Sequence, residues 1–231
     1  MTTVLETDGA TGVVYRIMTR EDAVAATEAV AQAFFAGEPV VTRGGGATLR
    51  DMRAFCAMWV PRMAEEGNTV LAIDGETGSI LGAFLNEDFS NVDPPGYDAF
   101  MESCDGVWAP CMNMIDELEG ALCARYSIPK TGRQPGRWFH LWMIGVLPAG
   151  RGKGIAKKLA SHSLAWARSR GFEVAFAECT GSGSTHIMET LGAETIAYCD
   201  YATWGEGAEG ETLRGLPAMG HPGMSMKVRA L

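Results

Sequence analysis

Between Val146 and Ala156 the chain reads Val-Leu-Pro-Ala-Gly-Arg-Gly-Lys-Gly-Ile-Ala, an apolar run that ends in a basic turn spaced by glycines. Arg151, Gly152, Lys153, Gly154 and Ala156 fit the pattern Arg-x-x-Gly-x-Gly/Ala. Small residues at these positions let backbone N–H groups close on a ligand, and the N-terminus of a following helix adds a positive dipole end. That chemistry suits a diphosphate. The backbone donors of Arg151, Gly152, Gly154 and Ile155 are expected to carry most of the affinity, with side-chain charge secondary. Two commoner phosphate loops are excluded. A Walker loop needs Lys-Ser/Thr, but Lys153 is followed by Gly154. A dinucleotide fingerprint needs a third glycine where Lys157 or Ile155 stands. For Arg151 and Lys153 the plain alternative is a solvated, basic helix start.

Other residues have the types that chemistry needs. Glu38 stands in Phe34-Phe-Ala-Gly-Glu-Pro39, where Phe34, Phe35 and Pro39 make an apolar setting. Desolvation there would raise its pKa and suit it to accept a proton, although an ordinary glutamate is exposed. Ser184 reads as a helix N-cap or as a hydroxyl able to donate to a leaving group, and Thr180 as a strand end or a site hydroxyl. His140, in Trp-Phe-His-Leu-Trp, is a possible base or a satisfied core residue. His162 belongs to an inward helix face and His221 to a Pro-Gly turn. Trp142, Phe84, Trp59 and Trp204 are candidates for an apolar pocket, against a default of plain core.

These residues need elements to hold them. Residues 1–12 are expected to be a flexible N-terminus, followed by one domain over 13–231. Strands are expected at Val13–Ile17, Thr69–Ile73, Ser79–Asp88, Trp138–Val146, Phe172–Thr180, Glu194–Tyr201 and Met224–Ala230. A helix capped by Thr19 and Asp22 should end at Gly37, and a second should start at Thr48 and kink or stop near Val60 at Pro61. Asn91–Pro110 reads as irregular and Met112–Tyr126 as helix. Further helices are expected at Gly152–Arg170, closed by Gly171, and at Ser184–Leu191. A polar, glycine-rich loop precedes the last strand.

With its central strand, glycine turn and helix, this order resembles the GNAT superfamily of N-acetyltransferases, and the glycine turn resembles that family's acetyl-CoA pyrophosphate loop. The Phe-Phe-x-x-Glu-Pro motif at Glu38, the segment Cys179–Gly192 with Thr180 and Ser184, and the tail from Pro217 through His221-Pro-Gly223 are similar to the insect-type arylalkylamine branch. The resemblance implies an α/β fold whose mixed, twisted central sheet is flanked by helices. That sheet should splay between its fourth and fifth strands, 138–146 and 172–180. It implies acetyl-CoA as cosubstrate in the split, with backbone groups of Met143, Ile144 and Val146 pairing with the pantetheine arm and a bulge near Gly145. The cofactor-binding set is then Met143, Ile144, Val146, Arg151, Gly152, Lys153, Gly154, Ile155 and Ala156. Glu38 would be the general base, with Ser184 and Thr180 as site hydroxyls. The expected reaction is direct acetyl transfer in a ternary complex to a small primary amine, an arylalkylamine by the branch resemblance, with another amine (antibiotic, polyamine, protein N-terminus) or a non-catalytic acyl-CoA-binding role as alternatives.

Composition narrows the partners. A net charge of −9 argues against nucleic acid and is compatible with a cationic substrate. No apolar run reaches the ~18–20 residues of a membrane span, and Met1–Gly12 has no secretory pattern. Six cysteines (56, 104, 111, 123, 179, 199), scattered without CxxC pairs, suggest free thiols in a reducing, cytoplasmic compartment and no metal site. A monomer or a homodimer is expected.

Overall fold

The apolar run at 138–146 becomes the pivot of a mixed sheet in a computed structural model that describes residues 2–104, 106–205 and 207–231. Its strands are β1 (Val4–Thr7), β2 (Val13–Ile17), β3 (Val70–Asp74), β4 (Ile80–Asp88), β5 (Trp138–Val146), β6 (Val174–Cys179), β7 (Glu194–Asp200) and β8 (Gly223–Ala230). They lie in the order β1-β2-β3-β4-β5-β6-β8-β7, and every neighbouring pair is antiparallel except β5 with β6. Helices are α1 (Ala23–Gly37), α2 (Leu49–Glu66), α3 (Tyr97–Ser103), α4 (Ala109–Tyr126), α5 (Ile155–Ser169), α6 (Ser182–Thr190) and α7 (Gly207–Leu213). α1, α2 and α4 cover one face of the sheet over a core that includes Met52, Trp59, Met114 and Phe176. α5 covers the other face over Phe139, Leu159 and Ala175. No helix among the described residues is long and apolar enough to cross a membrane.

Local chemistry sets the helix starts. Thr19 and Asp22 form a reciprocal capping box before α1, and Thr48 and Asp51 form another before α2. α2 runs through Pro61 to Glu66 rather than stopping near Val60. Pro61 and Ala57, whose carbonyl loses its intrahelical partner, both lie on the exposed side. Water there can take the bond that proline cannot donate.

Three further expectations change. The N-terminal segment is not free: Val4–Thr7 pairs with β2, and Glu6 and Asp8 grip Lys158 of α5 at 2.6 and 3.0 Å. Its two apolar residues, Val4 and Leu5, are too short a run to reveal a strand in sequence. Asn91–Pro110 contains α3 and the start of α4, and the glycine-rich loop contains α7.

The sheet opens where expected, although β1 makes the two strands fifth and sixth. β5 and β6 are in register only from Trp138 opposite Val174 to His140 opposite Phe176. Beyond them β5 stays on β4 and β6 stays on β8, so the two part. The bulge in β5 lies at Trp142, not near Gly145: Leu85 faces Met143 and Asn86 faces Leu141, leaving Trp142 over. Trp142 and Met143 consequently both pack toward α1, α2 and α4. Gly145 has a different cause, since a Cβ there would stand 2.7 Å from the Ala33 methyl of α1.

Candidate active site

The parting of β5 and β6 leaves a cleft of about 330 Å³. Met143, Ile144, Gly145 and Val146 border one side, and Thr180, Gly181 and Ser184 the other. The end of α1 closes it with Phe34 and Glu38, and α4 contributes Cys111, Met112 and Ile115.

Glu38 is 4% exposed and sits between α1 and a π-helical turn, Pro39–Gly44. Its carboxylate caps that turn: the Val40 N–H donates to Oε1 at 3.0 Å and the Val41 N–H donates to Oε2. The Thr180 hydroxyl also donates to it. Burial pushes the carboxyl above its ordinary value, and the donors from Val40, Val41 and Thr180 only partly pull it back. Pro39 supplies part of the apolar setting, as does Phe34, which lines the cleft; Phe35 points out and is 40% exposed. A buried carboxylate beside an apolar cleft is suited to accept a proton.

Ser184 lies in the cleft wall but does not cap α6. Gly181 occupies that position, and the Ser184 hydroxyl donates back to the Gly181 carbonyl at 3.0 Å. His221 supplies the capping acceptor instead, its Nδ1 facing the Ser182 N–H at 3.4 Å, and it too borders the cleft. Thr180 is held from behind by Tyr201, whose hydroxyl donates to the Thr180 carbonyl at 2.6 Å.

The glycine turn has the expected backbone. Gly152 and Gly154 adopt left-handed φ of 77° and 70°, and α5 starts at Ile155. Of this turn Arg151 borders the cleft, while Gly152, Lys153, Gly154, Ile155 and Ala156 lie outside its walls. The Arg151 N–H is already bonded to the Pro148 carbonyl at 3.2 Å, so the donor expected from it is engaged.

The aromatic wall differs from expectation. Phe55 of α2, Trp108 and Trp142 line the cleft, with Phe55 stacked on Trp108 at 4.3 Å. Trp59 backs Trp142 at 4.4 Å, and Met63 is plain core. Phe84 packs under α5, and Trp204 donates its Nε1–H to Glu117 at 2.8 Å. His162 is tied to Glu6 at 2.7 Å.

His140 is not a free base but the satisfied core residue of the alternative reading, with both ring nitrogens paired. It stacks on Phe176 at 4.6 Å, between Glu178 Oε2 (2.8 Å from Nε2) and Glu87 Oε1 (3.3 Å from Nδ1), and Arg62 binds the other oxygen of Glu87. Burial favours the neutral ring, but Glu178 and Glu87 outweigh it and push the pKa up to about 10, making an imidazolium at neutral pH. On α4, burial foremost and Glu178 next raise Glu119 to about 7. Burial, assisted by Glu38 and Glu178, lifts the Cys111 thiol well above its ordinary value, so it is no ready nucleophile.

Residues 81–192, from β4 through the glycine turn to the end of α6, match the model of the Acetyltransferase (GNAT) family. The chain carries a GNAT acetyltransferase domain. No curated protein sequence matches the chain. Solved structures resemble it over nearly all of both chains. Arylalkylamine N-acetyltransferase 2 from Aedes aegypti is 20% identical with a TM-score of 0.73, covering 94% of this chain and 98% of its own. The polyamine N-acetyltransferase of Drosophila melanogaster is 19% identical with a TM-score of 0.70, covering 95% and 100%. The condensation domain of Ebony in complex with beta-alanyl-dopamine is 14% identical with a TM-score of 0.74, covering 95% and 99%. At these identities the likeness is one of fold.

The cleft thus gathers Glu38 at the end of α1, which precedes the matched stretch, with Thr180, Ser184, Met143, Ile144, Val146 and Arg151 within it. Phe55, Trp108, Cys111 and Glu178 also border it and were missed in sequence. For Phe55 the signal was present, three residues after Met52 on the buried face of α2. For Glu178, in a strand between alanine and cysteine, nothing local distinguishes a site carboxylate from a strand-end charge.

Proposed function

We propose that this protein acetylates a small primary amine carried on an aromatic or apolar arm, using acetyl-CoA directly in a ternary complex. The observation that carries the reading is Glu38, a carboxylate buried at an apolar cleft, with its pKa raised by burial. The residues present fit acetyl-CoA. Among the described residues, the edge of β5 from Leu141 to Val146 has no strand partner on the β6 side, which leaves backbone groups for the pantetheine arm. Arg151 and the left-handed Gly152 and Gly154 precede a helix N-terminus suited to a diphosphate. Acetyl-CoA supplies the acyl thioester. Glu38 takes a proton from the substrate ammonium, directly or through water, and the freed amine bonds to the thioester carbon. N–H groups of β5 steady the oxyanion as the carbon–sulfur bond breaks. As the amide forms, nitrogen loses its second proton, which Ser184 or an ordered water relays to the departing thiolate. With Cys111 held as a thiol, transfer needs no acyl-enzyme.

The aromatic wall of Phe55, Trp108 and Trp142 favours an arylalkylamine. A second reading, a di- or polyamine, is favoured by a neighbouring cavity of about 440 Å³ that shares Trp142, Met112 and Ile115 and is edged by Asp93, Asp116 and Glu119. The cysteines, with no CxxC pair among them, support a cytoplasmic setting, and the domain, with β1 included in its sheet, is proposed to act as a monomer or homodimer.

A thiol-release assay over tyramine, tryptamine, dopamine, phenethylamine, methylamine, spermidine, an aminoglycoside and a peptide N-terminus tests this. Each buried CH₂ is worth ~0.8 kcal/mol, so phenethylamine should exceed methylamine in kcat/KM. Turnover of spermidine, the aminoglycoside or the peptide, with every arylalkylamine inert, would overturn the substrate class. Acetyl-CoA binding with no turnover of any amine would instead indicate a binding module.

A further inference from the structure

Four side chains of alternating charge run from the second cavity into the cleft. Arg62 of α2 binds Glu87 of β4, Glu87 faces His140 of β5 at 3.3 Å, and His140 donates to Glu178 of β6 at 2.8 Å. Arg62, Glu87 and His140 border the outer cavity, whereas Glu178 borders the cleft. Strand alternation puts Glu178 on the same face as Thr180, whose hydroxyl reaches Glu38. Glu178, Glu38 and Cys111 of α4 all line the same cleft.

The row is incomplete at its inner end. The Glu178 side chain is 3% exposed, and its Oε1 has no hydrogen-bond partner among the described residues. A buried carboxylate oxygen left unpaired is costly, and a cationic N–H donor is its best partner. Glu38 is less available for that task, because its two oxygens already accept the N–H groups of Val40 and Val41.

We propose that Glu178 is the anion that receives the substrate ammonium, so that a bound amine completes the row begun by Arg62, Glu87 and His140. This rests on the amine-acetylation reading and adds a division of labour to it. Glu178 selects and orients the cation, Glu38 takes its proton, and His140 and Glu87 are positioning residues that hold the Glu178 carboxylate in place. The cleft then discriminates an amine from an alcohol of the same shape.

The test is calorimetric binding of phenethylamine and of 2-phenylethanol, which replaces the ammonium with a hydroxyl, to the 231-residue chain saturated with CoA. Wild type should prefer the amine. Glu178→Gln should weaken amine binding about 10- to 100-fold, the loss of one charge-assisted bond, and leave alcohol binding unchanged. Glu178→Asp, which keeps the charge, should retain a preference for the amine. Acetyl-CoA should still raise the melting temperature of both variants. The inference is overturned if wild type shows no preference, if Glu178→Gln keeps it, or if that variant loses both ligands equally. Acetyl transfer by wild type, assayed separately, decides the parent reading. Should that transfer fail for every amine, the binding preference still decides the role of Glu178.

Discussion

Gly145→Ala tests how closely α1 is held to β5. The new Cβ would lie 2.7 Å from the Ala33 methyl, whereas carbon atoms make comfortable contact at ~3.5–4.0 Å. Helix and strand must therefore separate by roughly 1 Å, and overpacking of this kind costs about 1–3 kcal/mol. For a chain of this size each kcal/mol moves Tm by about 2–4 °C, so the variant should melt about 2–12 °C below wild type. Activity should suffer too. Ala33 lies little more than a turn before Glu38, and a misplacement of about 1 Å near the chemistry can lower the rate ~10²-fold. Differential scanning calorimetry and initial rates read both effects. Adding Ala33→Gly removes the opposing methyl. Because a glycine inside a helix costs about 0.5–1 kcal/mol by itself, the double variant should recover most of the lost Tm and kcat. An unchanged Gly145→Ala protein, or a double variant no better than the single one, would refute the reasoning.

Other variants probe the remaining parts. Glu38→Gln should lower kcat ~10²–10⁴-fold and abolish the acidic limb of the pH–rate profile, with the acetyl-CoA Kd little changed. Since the folded pKa of Glu38 is raised, its stability contribution is full below the unfolded value and is lost as pH rises through the folded value. Melting curves should accordingly show wild type losing stability across that window relative to Glu38→Gln. Thr180→Val removes a hydroxyl that favours the ionised Glu38, so the acidic limb should move to higher pH; a shift to lower pH contradicts the contact. Acetyl-CoA at 100 times its Kd should add about 2.7 kcal/mol of stability. Gly154→Glu should erase that gain, by placing a Cβ at a φ of 70° and a negative charge beside the diphosphate; a retained gain would move the diphosphate elsewhere.

What could be read without coordinates followed from short-range rules. The strand at Trp138–Val146 appears at its expected bounds because a nine-residue apolar run leaves little else for it to be. Thr19 and Thr48 mark helix starts because a capping box is complete within four residues. Glu38 was visible because its apolar neighbours are its sequence neighbours. The misses are long-range. Trp108 and Cys111 reach the cleft because α4, packed against β7 and β8, brings its N-terminal end there, which no local pattern encodes. Ser184 has the composition of an N-cap, yet His221, 37 positions onward, supplies the acceptor. Glu178 acquires its environment from Glu87, His140 and Arg62, which come from three different elements.

Three departures from regular structure meet at the cleft, and each alone would be insufficient. If β5 and β6 stayed in register beyond His140, their hydrogen bonds would consume the backbone groups and the space assigned to the proposed acetyl-CoA. If β5 lacked the extra residue at Trp142, every later side chain would change face. Met143 would then turn toward α5, and Gly145 would no longer meet Ala33. If α1 simply continued past Gly37, the N–H groups of Val40 and Val41 would bond within the helix instead of holding the Glu38 carboxylate. The π-helical turn, the bulge and the parting of the strands therefore act together. The turn buries and orients the carboxylate, the bulge adds Trp142 to the aromatic wall of the same cleft, and the parted strands open the space between them. A regular sheet-and-helix sandwich would lack the cleft in which the proposed transfer from acetyl-CoA to an amine takes place.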